Sequence, residues 1–175
     1  MPLIPALLLA LTACGKPRVQ GIATIEEQDA PLKGTIRSAD PTDNMQFVSG
    51  FYPAESDGWR WSRAHFAVAL TAPNDATLNG AILELTYDAP KAVLNQVGPV
   101  TVSATIHGAQ LEPEKRSQTG IAVYRRTIPA SALSQREVLV NFTLDKVVKP
   151  NTLPGEDREL GIAVHGVALV KAQQQ

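Results

Sequence analysis

Apolar residues recur at every second position through much of the chain beyond residue 46. Val100, Val102, Ala104 and Ile106 alternate with Thr101, Ser103 and Thr105, the pattern of a strand with one buried and one wet face. The same period runs through Ala64, Phe66, Val68 and Leu70, and again through Val138, Val140, Phe142 and Leu144. Leu160, Ile162, Val164, Gly166 and Ala168 form another inward row, and further strands are expected at 81–87 and 121–128. Turn-forming clusters separate these runs: Ala72-Pro73-Asn74-Asp75, Asp88-Ala89-Pro90, His107-Gly108 and Pro154-Gly155-Glu156-Asp157. No segment carries a helical period beyond a single turn at 131–135, and no unit repeats. Many short strands with regular turn signals predict an all-β fold, a two-sheet antiparallel β-sandwich of jelly-roll or immunoglobulin-like type. Ala67, Ala69, Leu139 and Val167 fall on the outward rows and are unusually apolar for a solvent face. A second packing layer or a partner surface is expected over them.

The first residues follow a different rule. Residues 3–13 are almost wholly apolar, too short a run to span a bilayer but suited to the core of an export signal. The run ends in Leu11-Thr12-Ala13-Cys14-Gly15, which resembles the bacterial lipobox. The resemblance implies a diacylglyceryl thioether on Cys14, cleavage after Ala13 and acylation of the new amino terminus. Cys14 is the sole cysteine, so no internal disulfide is expected. Two or more acyl chains anchor a protein stably where one does not. The basic residue that usually precedes such a run is missing, a lack that a start further upstream would supply. Gly15, not aspartate, follows the cysteine, which leans toward the outer membrane where the organism has one.

The expected partition is a lipoprotein signal peptide over 1–13, lipidated Cys14 with a tether over 14–45, the β-sandwich domain over 46–171 and a disordered tail over 172–175. The tether assignment rests on Pro17, Pro31 and Pro41, mixed charge and few large apolar residues, with a short strand allowed around 21–25.

Composition narrows the partners. With 175 residues, 44% of them hydrophobic, one domain with a real core is expected. A formal net charge of -1 argues against nucleic acid, whose phosphates require basic patches.

Candidate chemistry concentrates in two stretches. Gly50-Phe51-Tyr52-Pro53-Ala54-Glu55 leads into Gly58-Trp59-Arg60-Trp61-Ser62 and holds both tryptophans, although aromatics are only 5% of the chain. The second stretch holds Asp145, Pro150 and Asp157-Arg158-Glu159-Leu160-Gly161. Phe51, Tyr52, Glu55, Arg60, Trp61 and residues 157–161 together resemble a bacterial β-sandwich family of extracytoplasmic, glycosyltransferase-associated, carbohydrate-binding-like modules. The resemblance covers roughly residues 47–170 and implies an accessory or binding module. Aromatic faces stack on pyranose rings, and charged side chains bond hydroxyls in pairs. Tyr52, Glu55, Trp59 and Arg60 are therefore the expected ligand-binding residues. Trp61, Asp145, Asp157, Arg158 and Glu159 are expected to hold loops together, with Arg158 pairing to Glu55 or Asp145.

Catalysis is not expected. His65, His107 and His165 lack the short spacing of a zinc site. There is no Gly-x-Ser-x-Gly elbow and no glycine-rich phosphate loop. Asp157 and Glu159 could in principle serve glycoside hydrolysis, but Arg158 between them suggests neutralisation. No metal or cofactor is implied. Two functions remain: a lipid-anchored, non-catalytic glycan-binding or polysaccharide-accessory module of the cell envelope, or a structural or protein-interaction lipoprotein of an envelope assembly.

Overall fold

The computed structural model describes residues 31–172. The apolar leader, Cys14, the short strand around 21–25 and residues 173–175 of the expected tail lie outside them. The described residues are antiparallel β, as the alternation requires. In chain order the strands are β1 (Thr35–Arg37), β2 (Ser49–Phe51), β3 (Arg60–Thr71), β4 (Ala81–Asp88), β5 (Val100–Ile106), β6 (Ala109–Arg116), β7 (Ile121–Ile128), β8 (Glu137–Leu144) and β9 (Ala163–Lys171). The main path through the sheet is β6-β5-β8-β3-β9-β4-β7, with β1 added to β9 and β2 to β3.

Strand β3 explains why this is one sheet. Its first residues, Arg60 and Trp61, pair with Val164 and Ala163 of β9, whereas His65 to Thr71 pair with β8. The two halves of the fold therefore share a strand. The ends of the path then meet: Tyr124 Oη and Arg126 Nε of β7 both donate to the Glu112 carbonyl of β6, at 2.9 and 2.6 Å. An Arg126–Glu114 ion pair at 3.3 Å spans the same seam. The result is barrel-like and nearly closed, where two stacked sheets were expected. Side-chain bridging of the last gap covers two edges that would otherwise be open to other strands.

Inward rows fill the interior. Phe66, Val68 and Leu70 of β3, Val100, Val102, Ala104 and Ile106 of β5, and Val138, Val140, Phe142 and Leu144 of β8 are all buried, at the positions the period-two reading gave. Strand β9 departs from that reading. Thr86 of β4 faces Gly166 but Tyr87 faces Val164, so His165 is an extra residue and the pairing shifts there. Such a bulge exchanges the two faces of a strand. Leu160, Ile162 and Val164 are buried as expected, but beyond the bulge Val167 and Leu169 turn inward in place of Gly166 and Ala168. Val167 thus belongs to the core and not to an apolar outer face.

Ala67 is buried and pairs with Ser49 of β2, and residues from 33 to 45, assigned by composition to the tether, join the domain. Strands β3 and β9 separate after their short contact, and the chain from Lys33 to Phe51 fills the widening gap. Strand β1 zips onto Gly166–Ala168 of β9, a 3-10 helix spans Pro41–Gln46, and β2 lies against β3. Ile36 and Phe47 enter the core. Gln46 joins the parts: its Oε1 accepts from the Lys33 N–H at 2.9 Å, and its Nε2 donates to the Lys33 and Ala69 carbonyls at 3.0 and 2.7 Å. Asp40 caps the 3-10 helix by accepting from the Thr42 N–H at 2.9 Å, with Pro41 next in line, the usual combination at a helical start. Gly50, with φ of 75°, passes so close to β3 that a Cβ would stand 2.0 Å from the His65 carbonyl. Only glycine suits that position.

Two short α-helices complete the connections, α1 (Ala76–Asn79) and α2 (Lys91–Val97). The turn expected at 131–135 is a 3-10 helix at Ala130–Ala132. Among the described residues no helix is long and apolar enough to cross a membrane.

Candidate functional site

The two distinctive stretches of the sequence lie against each other. Ser62 N–H donates to the Ile162 carbonyl at 2.9 Å, and Gly161 N–H donates to the Ser62 carbonyl at 2.8 Å. Ile162 N–H also donates to Ser62 Oγ at 3.1 Å. Gly161 is required by this approach: a Cβ there would lie 2.6 Å from Ser62 Oγ and from Leu144 Cδ1. The glycine of the second stretch is thus explained by the serine of the first.

Around this contact the charged residues form a strut. Arg158 Nη1 donates to Glu55 Oε1 at 3.0 Å, and its Nε and Nη2 engage both oxygens of Glu156 at 2.9 and 2.8 Å. Tyr52 Oη accepts from the Glu159 N–H at 3.1 Å, and Glu159 Oε1 accepts from the Ala64 N–H at 2.9 Å. The guanidinium carbons of Arg63 and Arg158 stand 4.9 and 5.4 Å from the Tyr52 ring centroid. The Arg158 fork holds the Glu156 carboxyl down at about 2, chiefly by the side-chain hydrogen bonds and then by its backbone N–H. Glu156 and Glu55 in turn push Arg158 above its ordinary value. Arg158 therefore pairs with Glu55, as one of the two expected arrangements has it. Asp145 lies elsewhere, accepting from Thr101 N–H at 2.6 Å and Thr101 Oγ1 at 3.1 Å. Asp157 is exposed and adds no hydrogen bond or ion pair to the strut. Glu156 was missed because it reads as part of a turn. Its spacing two residues before Arg158 is the signal for the local fork.

On the other side of Tyr52 lies a cleft of about 580 Å³, between the 3-10 helix and the segment that follows β2; Asn44, Phe51, Tyr52, Pro53 and Arg60 are among the residues lining it. Arg60 is the unusual member. It is 8% exposed, its guanidinium carbon lies 4.6 Å from the Phe47 ring centroid, and Nη2 donates to Asn44 Oδ1. Its Nε is buried with no partner, and burial pushes its pKa below the ordinary value. Phe47 and Phe51 meet edge to face at 5.0 Å, Phe51 and Phe66 at 5.2 Å, and Phe66 stacks on Phe142 at 4.9 Å. All four phenylalanines of the chain thus form a row from the cleft into the core.

Of the four expected binding residues, the structure brings Tyr52 and Arg60 to the cleft. Glu55 is taken up by the strut. Trp59 is half-buried and packs edge to face on buried Trp61 at 5.2 Å, outside the lining of the cleft. Asn44 and Phe47, which complete the surroundings of Arg60, were not expected. The Asp40-Pro41 helical start ahead of them is the sequence signal that they belong to the domain.

The histidines stay apart. His65 meets Thr143 Oγ1 at 3.3 Å, His107 meets the Ala132 carbonyl at 3.0 Å, and His165 sits at the bulge of β9. Among the described residues no group of three or more His, Cys, Asp or Glu is placed to hold a metal.

No family model matches this chain. No curated protein matches it either. Among solved structures it is similar in part to "A novel family GH115 4-O-Methyl-alpha-glucuronidase, BtGH115A, with specificity for decorated arabinogalactans", at 11% identity and a TM-score of 0.46. That match covers 83% of this chain and 18% of the other. The likeness is remote.

Proposed function

We propose that this chain is a membrane-anchored, non-catalytic lipoprotein of the cell envelope whose barrel-like domain is a glycan-binding or polysaccharide-accessory module. The observation that carries the binding half is the cleft beside Tyr52 and Arg60. It has aromatic and proline walls and counts Arg60 and Asn44 among its lining residues, the mixture of apolar surface and few polar groups that small-ligand sites use. Architecturally we read the two halves joined at β3 as the two layers of a jelly-roll or immunoglobulin-like sandwich drawn together at one strand. The anchor half rests on Cys14 and the residues before it. Accessory binding, not turnover, fits a site where the carboxylates of Glu55, Glu156 and Glu159 are all engaged in structural bonds.

Trp59 and Trp61 flank Arg60 in sequence and are the only tryptophans, so intrinsic fluorescence reports on this corner. Titration with envelope polysaccharide fragments should change it, and no response to any of them would refute the glycan reading. Cys14→Ser should abolish palmitate labelling and block maturation. Unchanged labelling would overturn the anchor.

A second reading is supported by the outer face of β7, where Ile121 is 68% and Val123 48% exposed. These side chains suit a protein partner in an envelope assembly. Crosslinking in intact cells from position 121 should then yield one reproducible species.

A further inference from the structure

Among the described residues, Arg60 has no carboxylate within ion-pair distance; its one hydrogen-bond partner is the neutral amide of Asn44. The other arginines that form ion pairs, Arg125, Arg126 and Arg158, all sit nearer the surface, with side chains 21% exposed or more. A cation taken out of water costs several kcal/mol unless an anion and hydrogen bonds compensate it. Here the Phe47 ring face and one amide supply only part of that compensation, since cation–π contact contributes about 0.5–2 kcal/mol. Burial alone depresses its pKa, so the site lacks the opposite charge that would reverse the shift. Arg60 is one of the residues that line the open cleft of about 580 Å³.

We propose that Arg60 is the anion-recognising residue of this cleft and that the ligand is an acidic sugar residue, its carboxylate paired to the guanidinium and its ring against Phe51 and Pro53. The inference deepens the glycan reading and rests on it. A planar guanidinium matches a carboxylate in a two-point fork, and the cleft is of the size that binds small ligands. Asn44 accepts from Arg60 through its Oδ1, which leaves its amide N–H groups to donate to a second ligand oxygen.

The test is calorimetric titration of the full chain at low salt with galacturonate and mannuronate oligomers, glucuronate, their methyl esters and inorganic phosphate. At least one free acid should bind, and its methyl ester, equal in ring and length but uncharged, should bind at least about tenfold more weakly. Arg60→Met should remove that preference. Because Arg60→Met also alters the packing on Phe47, Ala54→Trp provides a second variant. Ala54 is an exposed residue at the cleft rim, and a tryptophan there should block binding with the buried charge intact. Equal binding of acid and ester overturns the acidic assignment while the glycan reading stands. Binding of phosphate with no response to any sugar overturns both. Silence toward every acid, with Ala54→Trp indistinguishable from the parent chain, overturns the assignment of Arg60.

Discussion

Replacing Gln46 by methionine removes three hydrogen bonds while keeping nearly the same volume, so the loss contains little cavity cost. The bonds lost are those from Lys33 N–H and to the carbonyls of Lys33 and Ala69. A net contribution of about 0.5–1.5 kcal/mol each gives a range of about 1.5–4.5 kcal/mol. Lys33 is near the surface, and water can recover part of its share. Ala69 is half-buried on β3 and recovers less. A loss of about 2 kcal/mol is expected, equivalent to a fall in Tm of roughly 6 °C for a domain of this size. Urea denaturation with a constant m-value measures it, and Gln110→Met, on an exposed position of β6, is the control. Hydrogen exchange at Thr71, whose N–H donates to the Lys33 carbonyl at 3.1 Å, should accelerate in the same variant. A loss below about 0.5 kcal/mol, the level of an ordinary surface change, would refute the idea that Gln46 fastens the 33–51 segment to β3.

Other outcomes follow from the same geometry. Gly50→Ala should be more damaging than Gly161→Ala, because its Cβ meets backbone at 2.0 Å in a left-handed conformation, while Gly161 meets its nearest atoms at 2.6 Å, both of them side-chain atoms; thermal melts rank the two. The Glu55–Arg158 pair, about one-third exposed on each side, should show a double-mutant coupling below about 1 kcal/mol. Glu156 should titrate near pH 2 in the folded protein. Its folded pKa lies below the unfolded one, so its contribution is present above the ordinary carboxylate range and is lost as pH falls toward 2. In Arg158→Ala its carbon NMR titration should return to the usual range. Tyr124→Phe should loosen the seam between β6 and β7 and cost about 0.5–1.5 kcal/mol in denaturant unfolding.

The strands with strict alternation were legible from the sequence because each buries one face along its whole length. Strand β9 was legible only as far as Val164, since the bulge at His165 changes which side chains point inward without altering composition. Strand β6 escaped notice because Ala-Gln-Leu-Glu-Pro-Glu-Lys-Arg is polar and contains Pro113, a combination suited to the rim of a sheet. Helix α2 is seven residues long, under two turns, too short to display a period of 3.6. Strands β1 and β2, three residues each, owe their existence to the gap between β3 and β9, which no local pattern encodes. For the cleft, Tyr52 and Arg60 were conspicuous as residue types. The burial of Arg60 and its lack of a carboxylate partner depend on the 3-10 helix that carries Asn44.

The position of β9 has a consequence for how the molecule is made. The final strand in the sequence lies in the interior of the sheet, between β3 on one side and β4 on the other. Until β9 has left the ribosome, no complete barrel exists, and β1, β3 and β4 lack the partner they share. Such long-range pairing is slow. Truncation within β9 ahead of Val167 would remove two core side chains, Val167 and Leu169, and strip β1 and β4 of most of their shared partner.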